Sequence, residues 1–116
     1  MKTILIVDDE PEIRALLAEV LRDEGYRILV AADGVVAMDV LTREKVDLLV
    51  TDTMMPRRGG VELIQSVRAS GRLHGLPAIL MSAGGWPDMR DLGVLVFLPK
   101  PFDLNTLLAA VARGFD

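Results

Sequence analysis

Asp8 and Asp9 close the apolar run Ile4-Leu5-Ile6-Val7, and Asp52 closes a second one, Leu48-Leu49-Val50-Thr51. Short apolar runs of this kind read as buried parallel strands, and in open α/β sheets ligands bind at the carboxyl ends of the strands. Carboxylates delivered to one edge from two strands repel each other unless a cation or a phosphoryl group lies between them. An all-oxygen set suits Mg²⁺, which keeps several waters and takes further ligands from substrate phosphate. Taken singly, Asp8 and Asp9 before Pro11 would also serve as helix caps, and Asp52 as ordinary loop chemistry. Together they point to a hard-metal site with chemistry on Asp52.

Two further polar residues fall at strand ends. Ser82 closes the run Pro77–Met81, and Lys100 follows the run Val94–Leu98 and Pro99. A serine there is an ordinary turn former and a lysine there an ordinary solvated cation. In combination with the acidic set, the hydroxyl can donate to an anion, and the ammonium can pair with carboxylate or phosphoryl oxygen as a compact point charge. Lys100-Pro101 is a candidate cis bond.

The elements that must position these residues follow from periodicity. Strands are expected at Ile4–Val7, Tyr26–Ala31, Val46–Thr51, Pro77–Met81 and Val94–Leu98. Pro11, preset for a first helical turn, opens a helix with Ile13, Leu16, Leu17, Val20 and Leu21 on one face, stopped by Gly25. Asp33-Gly34 leads into a second helix through Val36, Met38, Val40 and Leu41. A loop at Met54–Gly59 precedes a helix near Gly60–Ser70, and a last helix spans Leu104–Arg113 with Asp103 as N-cap. This is a βα unit repeated five times, hence a flavodoxin-like (βα)5 three-layer sandwich with parallel strand order 2-1-3-4-5. Its switch point lies between strands 1 and 3, where the acidic residues are. Strand 5 is an edge, which suits Pro99.

Composition bounds the function. A chain of 116 residues forms a single domain, 1–116, with a mainly aliphatic core: 51% of residues are hydrophobic and only 4% aromatic. A net charge of −4 argues against direct nucleic acid binding. There is no cysteine, so neither a disulfide framework nor a thiolate metal site is available. No apolar run approaches the roughly 18 residues of a membrane span, and a cytoplasmic protein is expected.

The ordered set is similar to the receiver domain of the two-component response-regulator family. The residues that carry the resemblance are Ile6-Val7-Asp8-Asp9-Glu10, Asp52-Thr53-Met54-Met55-Pro56 with Gly60, Ser82-Ala83, and Lys100-Pro101-Phe102. The resemblance covers essentially the whole chain. It implies that Asp52 is the phosphoacceptor, that Asp9 binds Mg²⁺ directly and Asp8 through water, and that Met54 adds its backbone carbonyl. Lys100 and Ser82 would hold the phosphoryl oxygens, and Phe97 falls at the switch aromatic, where core packing is the equally good alternative. The implied donor is a phosphohistidine on a sensor histidine kinase or histidine phosphotransfer protein. The output is a downstream protein target, reached from a monomer or weak dimer that is not an enzyme in the turnover sense.

Some features depart from that pattern. Only eleven residues, Ala83–Gly93, separate Ser82 from Val94, and three Gly and one Pro among them predict a shortened or irregular fourth helix. Trp86 there is expected to pack as a lid against the core, with an exposed partner anchor as the alternative. Arg57 and Arg58 form a basic pair beside Asp52, read first as a solvated pair and, as the weaker alternative, as an aid to docking an acidic partner or phosphodonor. Met54 and Gly84, two residues beyond Asp52 and Ser82, offer no side chain to orient an attacking water, which predicts slow self-hydrolysis. Two competing functions are a Mg²⁺-dependent aspartyl-phosphate phosphohydrolase and a phosphorylation-independent binding module. The first is disfavoured because Met54 stands where a second acidic group would act as acid/base.

Overall fold

The computed structural model describes residues 1–55, 57–84 and 93–115. Five strands, β1 (Thr3–Val7), β2 (Arg27–Ala31), β3 (Leu48–Asp52), β4 (Ala78–Ser82) and β5 (Val96–Pro99), form one parallel sheet in the order β2-β1-β3-β4-β5. Four helices lie among the described residues: α1 (Pro11–Asp23), α2 (Gly34–Arg43), α3 (Gly60–Ala69) and α4 (Leu104–Arg113). The expected shortened helix after Ser82 and the packing of Trp86 fall at residues 85–92, outside the described residues.

Strand side chains alternate between faces, and the two faces carry separate cores. Leu5, Val7, Leu49 and Leu80 pack with Ala37, Leu41, Leu63 and Ile64 of α2 and α3. Ile4, Ile6, Val50 and Ile79 pack with Leu17, Leu21, Leu107 and Val111 of α1 and α4. Every residue of β1, β3 and β4 is buried, which is why these strands read as unbroken apolar runs.

The observed strands β2 to β5 begin one or two residues later than the apolar runs suggest. Pairing, not hydropathy, sets those limits. Val7 pairs with Thr51, Asp52 with Met81, and Ser82 with Pro99. Asp52 and Ser82 are thus the last ladder residues of β3 and β4 rather than the first loop residues beyond them.

The face of α1 also differs from expectation. In α1 the buried residues are Leu17, Ala18 and Leu21, while Leu16 is 46% exposed. In α2 they are Gly34, Ala37 and Leu41, and Val36 is exposed. The small residues Ala18 and Ala37 occupy the buried face, and the bulkier Leu16 and Val36 lie outside it.

Candidate functional site

Register brings the acidic residues together. Because Val7 pairs with Thr51, the next residues on the neighbouring strands, Asp8 and Asp52, emerge side by side. Each of Asp8, Asp9 and Asp52 offers a carboxylate oxygen within 4.8 Å of the others'. Asp8 is fully buried, Asp52 is 6% exposed, and Asp9 faces solvent.

Each buried carboxylate is held by donors. Asp8 Oδ1 accepts from the Glu10 backbone N–H at 2.9 Å, a local turn that leads into α1. Asp8 Oδ2 accepts from Lys100 Nζ at 3.0 Å. The Asp8 carbonyl accepts from Arg14 Nη1 at 2.8 Å, so the second turn of α1 reaches back to fix the end of β1. Asp52 Oδ1 accepts from the Thr53 N–H at 3.0 Å, and its Oδ2 lies 3.6 Å from Lys100 Nζ.

Charge in this pocket moves two ionisations. Burial raises the Asp52 pKa; the positive field of Lys100 opposes this, while Asp8 and Asp9 reinforce it. Burial alone would lower the pKa of Lys100, but its hydrogen bond to Asp8 and the fields of Asp52 and Asp8 outweigh that and raise it. The surroundings thus favour the charged ammonium of Lys100, while burial works against the charged form of Asp52.

Ser82 completes the edge. It is 3% exposed, and its Oγ accepts from the Gly84 N–H at 3.0 Å, which leaves the hydroxyl proton for another acceptor. Its carbonyl accepts from the Lys100 N–H at 2.7 Å, tying the ends of β4 and β5 together. The Lys100-Pro101 bond is cis, as the sequence suggested. Phe97 is 9% exposed and packs in the core on the α2–α3 side. Met54 is 75% exposed on the loop after Asp52.

That loop is closed by close backbone contacts. Gly60 N–H donates to the Thr53 carbonyl at 3.0 Å. A Cβ at Gly60 would collide with the Asp52 carbonyl oxygen, and one at Gly59 would come within 2.5 Å of the Thr53 carbonyl oxygen. Arg57 is not a free solvated cation. Its Nε and Nη2 donate to Asp33 Oδ2 at 2.9 and 2.7 Å. Arg58 Nη1 donates to Ser66 Oγ at 3.0 Å.

The geometry thus assembles the strand-end residues Asp8, Asp9, Asp52, Ser82 and Lys100 at one edge, with Phe97 in the core beside it. Arg14 and the Asp33–Arg57 pair were not legible beforehand. The Arg14 contact spans one and a half turns of chain, and the Asp33–Arg57 contact joins loops 24 residues apart.

Residues 4–112 match the sequence model of the family described as response regulator receiver domain. The chain belongs to this family. The receiver domain is 38% identical over 115 residues to the transcriptional regulatory protein CpxR of Escherichia coli K12, covering 96% of this chain and 48% of CpxR. It therefore spans about half the length of that relative. It is also 38% identical over 114 residues to sporulation initiation phosphotransferase F of Bacillus subtilis, covering 95% of this chain and 90% of that one. Among solved structures, the chemotaxis response regulator CheY4 of Vibrio cholerae matches with a TM-score of 0.89 at 30% identity over 98% of both chains. The response regulator TrrA of Thermotoga maritima, solved in complex with Mg(2+)-BeF, matches with a TM-score of 0.85 at 34% identity, over 98% of this chain and 99% of that one. As a receiver domain the protein is a phosphoacceptor of two-component signalling, and such domains interact with histidine kinases or phosphotransfer proteins. No helix among the described residues is long and apolar enough to cross a membrane.

Proposed function

We propose that Asp52 is the residue phosphorylated, in a Mg²⁺-dependent transfer from a phosphohistidine, and that the acyl phosphate switches contacts with a downstream protein. The observation that carries this is the convergence of three carboxylates and one ammonium, with Lys100 Nζ 3.0 Å from Asp8 and 3.6 Å from Asp52. A buried carboxylate kept beside two others has a use for a further cation. The donor set is all oxygen and includes an exposed member, Asp9, which suits a metal that keeps part of its water shell.

Asp9, Asp52 and the backbone carbonyl of Met54 are the proposed direct ligands, and Asp8 acts through water. When bound, Mg²⁺ supplies charge neutralisation between the carboxylates and an incoming phosphoryl group. Asp52 supplies the nucleophile: a carboxylate oxygen forms the new O–P bond as the donor's N–P bond breaks, and the leaving imidazole keeps the electron pair and takes up a proton. Lys100 stabilises negative charge on the transferred group, and the Ser82 hydroxyl donates to one of its oxygens. The chain acts once per phosphoryl group and is not a turnover enzyme. Support for the metal comes also from the structural likeness to TrrA, which was solved with Mg(2+)-BeF.

The test is intact-protein mass after incubation with Mg²⁺ and a small phosphodonor. One added phosphoryl group, absent with chelator and absent in Asp52→Asn, is the expected result. Catalytic consumption of donor without a stoichiometric adduct would mark a phosphohydrolase instead, and no adduct under any condition would mark a bare binding module.

A further inference from the structure

The loop between β3 and α3 carries Met54 and is held from a distance. Its two ends are fixed locally: the Thr53 N–H donates to the Met81 carbonyl at 2.9 Å and the Gly60 N–H to the Thr53 carbonyl at 3.0 Å. Between those ends, the anchors come from the start of α2. Gly34 N–H donates to the Arg58 carbonyl at 2.9 Å, and the two backbones are so close that a Cβ on Gly34 would sit 2.7 Å from that oxygen. Arg57 then reaches Asp33 with both Nε and Nη2.

Two details set this ion pair apart, although the Arg57 side chain is half-exposed. Arg57 has φ of +65°, a left-handed conformation that glycine adopts freely and arginine only at a cost. Its side chain must supply something that offsets the cost. Asp33 is 6% exposed, and its carboxylate is fully used: Oδ1 accepts from Val35 and Val36 N–H at 2.9 and 3.0 Å, capping α2, while Oδ2 takes the guanidinium. The cap is thus a fixed point on the scaffold, and Arg57 ties the loop to it. The hydrogen bond from Val36 and the neighbouring Arg57 hold the Asp33 carboxyl below its ordinary pKa, so the pair stays charged at neutral pH.

We propose that the Asp33–Arg57 ion pair is a positioning device for the metal site, holding the β3–α3 loop so that the Met54 carbonyl is already in place when the ion arrives. This rests on the metal site proposed above. Neither residue touches the metal or the phosphoryl group. Both act through the loop, as groups that orient metal ligands do.

The sign of the electrostatics separates positioning from a simple field effect. Asp33→Asn removes a negative charge, and through the field alone it would weaken Mg²⁺ binding. Arg57→Ala removes a positive charge, and through the field alone it would tighten it. A positioning role predicts weakening in both. Asp33→Asn keeps an oxygen to cap α2, so its fold is preserved.

The experiment is competition of Mg²⁺ against Mn²⁺, with free Mn²⁺ read by electron paramagnetic resonance at about 0.3 M salt to shorten the range of charge effects. It is run on the wild type, Asp33→Asn, Arg57→Ala, the double variant and Asp9→Asn, with thermal unfolding of each in chelator. The expected result is a loss of about tenfold in Mg²⁺ affinity in each of the two single variants, and no greater loss in the double variant, since both remove the same tether. Should Arg57→Ala unfold, Arg57→Gly, which takes the same φ without strain, replaces it. Opposite shifts in Asp33→Asn and Arg57→Ala would overturn the proposal. So would wild-type affinity in both with Asp9→Asn impaired, even if their melting temperatures fall, because the pair would then serve the fold alone. Wild-type affinity in Asp9→Asn would instead refute the metal site itself, and the proposal with it.

Discussion

Lys100 Nζ is hydrogen-bonded to the fully buried carboxylate of Asp8 at 3.0 Å and stands farther, at 3.6 Å, from Asp52. The lysine therefore neutralises the more deeply buried of the two carboxylates and leaves Asp52 with the longer contact, which the proposed phosphoryl group could replace. Removing one member of a buried pair costs more than the pair contributes, because the remaining charge loses its solvation without compensation. Lys100→Met is expected to lower stability in chelator by roughly 1–3 kcal/mol. Added Mg²⁺ is expected to recover much of that loss while phosphotransfer stays impaired. Thermal melts with and without Mg²⁺, alongside phosphorylation by mass, check both halves.

Asp52 gives a pH signature. Its pKa is raised by burial, by more than Lys100 offsets. A carboxyl whose folded pKa exceeds its unfolded value, about 3.9, binds protons more readily when folded. Stability therefore falls as the pH rises through the window between the two values, and the full cost is present above the folded pKa. In chelator at neutral pH, Asp52→Asn is therefore expected to melt above the wild type. The gap should close as the pH falls below the raised pKa. Paired melting curves across pH 3–8 measure it, and a gap independent of pH would rule out ionisation as the cause.

How much of this was visible in the sequence divides along a physical line. Asp8, Asp9, Asp52, Ser82 and Lys100 were placed correctly at one edge because strand ends follow from apolar runs and parallel topology sends all carboxyl ends the same way. The cap at Asp103 was likewise legible, since its carboxylate accepts from Thr106 N–H a few residues on. Leu16 was misplaced because the stripe of α1 was assigned by bulk. The face that meets the sheet instead turns on Ala18, a small residue that hydropathy weighs lightly. The pairing of Arg57 with Asp33 had no local signal. It depends on two loops meeting and on the positive φ at Arg57, and neither is written in residue spacing.

Gly60 is the tightest backbone approach to the nucleophile. A Cβ there would collide with the Asp52 carbonyl oxygen and come within 2.9 Å of its carbon, both rigid backbone atoms. Space cannot be made by rotating a side chain, so either α3 or the end of β3 must move. Gly60→Ala is expected to destabilise the protein by about 2–3 kcal/mol, despite the better helix propensity of alanine, because overpacking against backbone outweighs it. The variant that folds should also bind Mg²⁺ more weakly, since Asp52 is displaced. A variant as stable as wild type would show that this contact relaxes freely.

The lifetime of the acyl phosphate is set by what can deliver water to it. Met54 presents an exposed thioether and Gly84 presents no side chain, so neither can act as a hydrogen-bonding guide for an attacking water. In the proposed transfer, Lys100 and the Ser82 hydroxyl would stabilise the phosphoryl oxygens without supplying a base. Slow self-hydrolysis is expected, with label persisting for minutes or longer on purified phosphoprotein in Mg²⁺. Met54→Glu places a carboxylate on the exposed side of the same loop, where it can accept a proton from water, and should shorten the lifetime by about tenfold if water orientation is limiting. Loss of label within seconds in the wild type, or no change in Met54→Glu, would show that another group already performs that role.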